Sequence, residues 1–306
     1  NSGTSALIAG LTALKHKYAI KDGSKVITTP VTFIATINAI IHCRLEPVFV
    51  DVDMRTFVIT PENIKKALRQ EKGVSVILPV HLMGYPADMD RINRIAREYA
   101  AVVMEDAAQA HGTIYKDKKV GSLSELAIFS FYIAHNIQAG EMGAITTDDH
   151  QLARLLKKVK AHGRMCECNV CTRSLGYCPG LEKYKGREDF DPRFHHDMIG
   201  FNFKIMEFQA ALGLTQLKKA NQIFKKRSFN VKYLNEGLSE LSSILQLPLY
   251  SHNYSYLAYP IVLRNSKATS CFMLRKELER RGIETRPLFG CVPTQQPAYR
   301  FLKNKY

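Results

Sequence analysis

Hydrophobic and polar positions change their period several times along the chain, and each change marks an element. Between Val26 and Asp106, short β-branched runs at 26–28, 47–50, 74–80 and 101–104 alternate with amphipathic stretches at 32–42, 61–69 and 87–99. Apolar runs of strand length separated by helical-period segments are how βαβ units read, so a parallel sheet flanked by helices is predicted. Runs at 126–131 and 144–147 predict further strands of that sheet, and 6–14 and 149–163 read as helices. From 164 to 192 the chain is rich in Cys, Gly, Tyr and charge without apolar periodicity, which predicts a long loop or insertion. A loop of that length inside a compact domain is either functional or held by something other than packing.

Helical spacing returns at 206–217, with Met206, Ala210, Leu214 and Leu217 on one face, and continues as a basic helical region to 241. Beyond it, 256–263 is strand-like and 271–281 helix-like, with Gly282 as the stop. The division expected is a large domain over 1–217, carrying the insertion, and a smaller α+β domain over 218–306. Both ends read as cut, since Asn1–Thr4 is a functional-looking loop directly before a helix and Tyr306 closes on no recognisable terminus.

Composition narrows the class without naming a function. With 306 residues, 46% hydrophobic and 23% charged, the chain has the make-up of an ordinary globular protein. No apolar run approaches bilayer length and no signal pattern precedes the first helix, so a cytoplasmic protein is expected, without membrane partners. Seven cysteines, an odd number in a chain this long, fit a reducing compartment better than a disulfide framework. The net charge of +15 suits nucleic acid, an anionic surface or a phosphorylated substrate equally. Because the lysines are scattered and no aromatic-rich RNA-binding motif accompanies them, most read as solvated surface and nucleic acid is not expected.

In open α/β folds ligands collect beyond the carboxyl ends of the parallel strands, which directs attention to Asp106, at the end of the run 101–104. Taken alone, a strand-ending turn aspartate serves as well as a functional one. Three other segments change its weight: Ser2-Gly3-Thr4-Ser5 opening a helix, Thr32 to Thr36, and Phe129-Ser130-Phe131-Tyr132 followed by His135-Asn136. A Gly-Thr-Ser turn at a helix N-terminus offers free N–H groups, hydroxyls and a favourable dipole to a phosphate, though Ser and Thr are also the commonest N-caps.

Seven stretches in order, 1–7, 29–38, 47–53, 79–90, 105–112, 129–148 and 200–217, resemble the DegT/StrS-type nucleotide-sugar aminotransferases over essentially the whole chain. The resemblance implies an α/β fold-type I PLP-transferase large domain with a mixed, mostly parallel sheet, plus the smaller C-terminal domain. It also implies that Asp106 pairs with the pyridine nitrogen of the cofactor, Phe33 stacks on the ring and Gln109 sits on its hydroxyl side. Gly3, Thr4, Ser5 and Ser130 would hold the phosphate, and Asn202 would reach the phosphate of a neighbouring subunit, implying a homodimer.

His135 stands where aminotransferases of this family have the Schiff-base lysine. Imidazole cannot form that bond, so the cofactor, PLP or pyridoxamine phosphate (PMP), would be held non-covalently with His135 as the base that removes its C4′ proton. Segments around 132–144, 163–164, 196–209 and 285–297 are similar to the family's lysine-to-histidine 3-dehydratases that act on CDP-linked 4-keto-6-deoxy sugars. That branch carries an iron–sulfur cluster, and a nucleotide-diphosphate sugar substrate and a reductase partner follow from it. The chain departs from the branch at Ala108, where it has a cysteine, and at Gln109, which is aminotransferase-like.

Four thiols nevertheless crowd one loop: Cys166, Cys168, Cys171 and Cys178. They suit a tetrahedral zinc or a differently wired iron–sulfur cluster, with free thiols as the alternative. Cys43, Cys271 and Cys291 read as buried or incidental thiols. His81, His111, His162, His195 and His196 show no metal-ligand spacing, and His81 and His111 fit family positions near the pocket mouth. The leading expectation is a PMP-dependent C3-dehydratase. The alternatives are an aminotransferase-like enzyme with another elimination chemistry and a non-catalytic ligand-sensing homologue.

Overall fold

The computed structural model describes residues 1–166, 168, 170–183, 186, 189–265, 269–288 and 292–302. Its first half alternates helix and strand: α1 (Gly3–Tyr18), β1 (Lys25–Thr28), α2 (Ile34–His42), β2 (Glu46–Phe49), α3 (Pro61–Gln70), β3 (Val74–Ile77), α4 (Met89–Glu98) and β4 (Val102–Asp106). A small hairpin, β5 (Ile114–Tyr115) and β6 (Lys118–Lys119), leads to β7 (Leu126–Ser130), β8 (Gly143–Thr146) and α5 (His150–Val159). The remaining elements are α6 (Pro179–Lys183), α7 (Glu207–Gly237), β9 (Leu245–Gln246), β10 (Val262–Leu263) and α8 (Cys271–Arg280).

Six strands form one sheet in the order β2-β1-β3-β4-β7-β8, parallel except for β8, which pairs antiparallel to β7 at the edge. The period of two along each strand divides the core between the two faces. Ile27, Ile77 and Val103 face α3 and α4, where Ile64, Leu68, Ile92 and Ile95 are buried. Their strand neighbours Val26, Val76 and Met104 face the other way, onto Leu11 and Leu14 of α1, Ile37 and Ile40 of α2 and Leu152 of α5. Helices cover both faces of the sheet, the three-layer arrangement that a parallel sheet requires.

Helix starts follow local chemistry. Thr60 caps α3 ahead of Pro61, whose missing N–H costs nothing in the first turn, and Asp149 and Ser270 cap α5 and α8. The turn at Gly282 has φ 79°, the left-handed backbone expected of the stop after α8.

One expectation changes in the second half. The strand-like stretch 256–263 pairs as a strand only at Val262–Leu263, against β9. Tyr256 and Leu257 belong instead to a strap that begins at Ser255, whose polar groups find other partners: Ser255 N–H donates to Thr113 Oγ1, Leu257 N–H to the Met83 carbonyl, and the Ser255 carbonyl accepts from Asn136 Nδ2. The strap runs so close to Gly84 that a Cβ there would stand 2.9 Å from the Tyr256 nitrogen. The boundary expected between 217 and 218 falls inside α7, which is a continuous helix of 31 residues.

Candidate cofactor and active site

The expected phosphate end is built on the N-terminus of α1. Ser2 is the N-cap, and it and Ser5 satisfy each other: Ser5 N–H donates to Ser2 Oγ at 3.0 Å, and Ser2 N–H to Ser5 Oγ at 2.8 Å. Ser5 Oγ also donates to Asn1 Oδ1 at 2.6 Å, and the residue is buried, so its hydroxyl and N–H both serve the cap. That leaves the N–H groups of Gly3 and Thr4 as first-turn donors with no intrahelical partner. Gly3 presses against the end of β7, where a Cβ would lie 2.6 Å from the Ser130 Cβ. Only a glycine lets the helix terminus approach the Ser130 hydroxyl this closely.

Asp106 ends β4 and is registered opposite Ile128, two residues before Ser130 on β7. Its side chain is 4% exposed, with Oδ2 accepting from Thr36 Oγ1 at 2.9 Å and Oδ1 from the Ala108 N–H at 3.2 Å. Burial pushes its carboxyl above the usual range, against the pull of those two donors and the field of His81. Phe33, the N-cap residue of α2, holds its ring 58% exposed at the same end of the sheet. A large ring left this open is available to stack. Gln109 accepts from the Met83 N–H through Oε1 at 3.0 Å, which fixes its amide orientation.

His135 lies in the loop after β7 and is half-buried. Its Nδ1 is 2.9 Å from the Ser130 carbonyl oxygen, and its backbone N–H closes a turn onto Tyr132. A carbonyl only accepts, so Nδ1 carries the hydrogen and Nε2 keeps a lone pair. Burial lowers the ring's pKa, partly offset by that bond. The imidazole is therefore a neutral base over most of the physiological range.

Asn202 is exposed, with its side-chain oxygen accepting from Lys204 Nζ at 2.7 Å and its carbonyl from Asn1 Nδ2 at 3.4 Å. It thus borders the α1 terminus of its own chain.

Several side chains at this end have contacts that the sequence does not show. Thr36 orients Asp106, and Asn136, directly after His135, is buried and ties the loop to the strap. His81 and His111 prove to be interior residues rather than groups at the mouth. His81 is fully buried: its Nδ1 accepts from the Ala87 N–H, so Nε2 donates to Glu105 at 3.0 Å. His111 packs among Phe129, Phe131 and His135 with neither ring nitrogen hydrogen-bonded, and burial drives its pKa down to about 3. Apart from the local His81–Ala87 bond, none of these pairings is visible from spacing, because each joins segments far apart in sequence.

The thiols expected to share a four-thiolate centre, Cys166, Cys168, Cys171 and Cys178, lie near one another, and burial with the fields of the other three raises the Cys168 thiol's pKa. All four are free thiols, and among the described residues no group of three or more His, Cys, Asp or Glu is placed to hold a metal ion. Asp191 accepts from both Arg193 and Arg173 beside these thiols, and the Cys166 N–H bonds the Pro192 carbonyl. Cys43 is buried and Cys271 exposed, while Cys291 lies outside the described residues. No helix among the described residues is long and apolar enough to cross a membrane.

The sheet order, with a buried aspartate ending a central strand and a glycine-led helix terminus beside a strand-end serine, defines the large domain of a fold-type I PLP-dependent enzyme. The chain belongs to the DegT/DnrJ/EryC1/StrS aminotransferase family, whose sequence profile it matches over residues 1–306. It is 33% identical over 309 residues to the dTDP-4-dehydro-2,6-dideoxy-D-glucose 3-dehydratase of Saccharopolyspora spinosa, covering 98% of this chain and 66% of that protein. To the GDP-perosamine synthase of Caulobacter vibrioides it is 32% identical, over 97% of this chain and 72% of that one.

Among solved structures, the E. coli GDP-4-keto-6-deoxy-D-mannose-3-dehydratase with bound hydrated PLP superposes with a TM-score of 0.78 at 27% identity. That match covers 99% of this chain and 74% of the dehydratase. NtdA from Bacillus subtilis, with PMP bound, gives a TM-score of 0.79 at 29% identity, over 100% of this chain and 63% of that one. The chain spans 63% to 72% of the length of the curated relatives it matches.

Proposed function

We propose that the protein is a PMP-dependent dehydratase that removes the C3 hydroxyl of a 4-keto-6-deoxy nucleotide sugar. The observation that carries this reading is His135, a neutral imidazole with a free Nε2 lone pair at the position where the family's aminotransferases have lysine. The residues present fit the cofactor: Gly3 leaves a cradle that a Cβ would close, Asp106 is a buried carboxylate with unshared lone pairs, and Phe33 offers an open ring face. When bound, the cofactor supplies an amine for the sugar ketone and a ring that accepts electrons from the adjacent carbon.

The chain's own groups then divide the work. The Gly3 and Thr4 N–H groups and the Ser130 hydroxyl bind the phosphate at the positive end of α1, with Ser5 acting through the cap that shapes this terminus. Asp106 would accept from the ring nitrogen of the bound cofactor, Phe33 would stack on its ring, and Gln109, held by Met83, would lie toward its hydroxyl side. His135 Nε2 takes the proton that must leave before the C3 hydroxyl departs and can return it to the departing oxygen.

A homodimer completes the reading. Of the 31 residues of α7 only Gly213, Ser228 and Val231 are buried, while Phe208, Leu212, Leu214 and Leu217 stand exposed, a surface suited to a second copy. Asn202, exposed near α1, would reach the partner's phosphate from that interface.

Incubation of PMP-loaded protein with 4-keto-6-deoxy sugars linked to CDP, GDP, UDP or dTDP tests the proposal. Product mass spectrometry should show loss of the C3 hydroxyl from one of them. An amino sugar as the sole product, formed catalytically, would overturn it in favour of amino transfer.

A further inference from the structure

We propose that Thr32 and Thr36 form a hydroxyl relay that holds the Asp106 carboxylate ready for a protonated aromatic nitrogen. The inference rests on the reading of Asp106 given above and extends it to two residues of the segment before and within α2.

The three side chains are almost fully buried and joined end to end. Thr32 Oγ1 is 2.9 Å from Thr36 Oγ1, and Thr36 Oγ1 is 2.9 Å from Asp106 Oδ2. An ionised carboxylate has no hydrogen to give, so Thr36 donates to Asp106 and its own lone pair accepts from Thr32. The direction of both bonds is thereby fixed, and a donor that is itself an acceptor is polarised into a stronger one.

The Ala108 N–H occupies one lone pair of Oδ1. Thr36 occupies one of Oδ2. Each oxygen keeps a further lone pair, and the carboxylate plane is held from two sides. Burial opposes ionisation of Asp106, and donors to the charged form oppose burial. The titratable group whose field reaches Asp106 is His81, in the turn after β3. Glu105 faces the other side of β4 and is engaged by His81, Gly121, Leu123 and Ser124. From α2 Asp106 receives the Thr36 hydroxyl, and across the sheet it faces Ile128 on β7.

Valine matches the shape of threonine without the donor, so the relay can be cut at either link. The experiment is a fluorescence titration of the full chain with pyridoxamine 5′-phosphate from about pH 4 to about pH 9. Thr36→Val should weaken binding roughly ten-fold and move the acid limb of affinity up by about one pH unit, since loss of a donor to the charged form raises the carboxyl pKa. Thr36→Ser should restore both. Thr32→Val should move the limb in the same direction by less, and because it leaves Asp106 its own donor it decides the matter should Thr36→Val fail to fold.

A wild-type acid limb in both valine variants, or valine and serine behaving alike at 36, would overturn the relay. Asp106→Asn separates this from the parent reading: it should weaken binding and abolish the acid limb. Wild-type binding by Asp106→Asn at every pH would mean that Asp106 is not the ring-nitrogen partner at all.

Discussion

The Nδ1 atom of His135 stands 2.9 Å from the backbone oxygen of Ser130, the residue whose side chain packs on Gly3 at the start of α1. One serine therefore serves two ends of the proposed site: its side chain packs at the α1 terminus and its carbonyl sets the tautomer of His135. The backbone bond does for His135 what a carboxylate does in many catalytic pairs, orienting the ring without adding charge that would raise its pKa far.

His135→Asn should leave cofactor affinity near wild type and lower turnover by roughly a hundred- to ten-thousand-fold, the range for a lost general base. Because burial lowers the His135 pKa, the ring stays deprotonated further into acid, and the acid limb of kcat/KM should fall below about 6.5. Steady-state rates against pH measure both. An asparagine variant with the wild-type rate would move the base elsewhere.

Wild-type protein treated with borohydride in the presence of PLP should gain no pyridoxyl mass at a site lysine, whereas His135→Lys should gain one on the introduced residue. Peptide mass spectrometry reads the difference. The same variant should shift product from loss of the C3 hydroxyl toward an amino sugar.

Gly3→Ala would place a Cβ 2.6 Å from the Ser130 Cβ, so the helix terminus must retreat from β7. Overpacking of this kind costs roughly 1 to 3 kcal/mol, visible as a lowered Tm. On the proposed reading, in which the displaced N–H groups bind the phosphate, PMP affinity should fall further than stability does. Equal affinity in the alanine variant would detach α1 from phosphate binding.

Glu105→Gln puts an amide where four donors converge, and should cost roughly 3 kcal/mol at neutral pH. Burial alone would raise the Glu105 pKa, but the His81 bond and the Gly121 and Leu123 N–H groups outweigh it and hold the carboxyl low. A depressed folded-state pKa contributes stability above the ordinary glutamate range and loses it as pH falls through the depressed value. Asp106, with a raised value, acts in the opposite sense: its contribution is present at low pH and lost as pH rises through that value. Denaturant melts should therefore show a flatter acid limb in the glutamine variant. An unchanged limb would mean that Glu105 does not govern acid stability.

Alternation of β-branched runs with helical-period segments was enough to place the strands of the first half and the helices between them, because burial on one face or two imposes its period directly on the sequence. The Ser2–Ser5 cap, the strand-end position of Asp106 and the substitution at His135 were legible for the same reason: each is local, and the last needs only one residue set against a family pattern. The start of the stretch 256–263 reads as strand but is a strap, because β-rich composition does not say whether a partner strand exists, and here Met83 takes the Leu257 N–H while Thr113 and Asn136 bind Ser255 just before it. Crowding of Cys166, Cys168, Cys171 and Cys178 in sequence is crowding in space too, since the fields of the other three thiols reach Cys168, but spacing alone says nothing of the Asp191 ion pairs that also hold the loop.

The sequence by itself determined the helix and strand order and which residues end the parallel strands. Only the tertiary structure decided that Thr36 donates to Asp106, that His81 serves Glu105 and that the Ser130 carbonyl fixes His135, because hydrogen bonds between distant segments depend on how the layers pack.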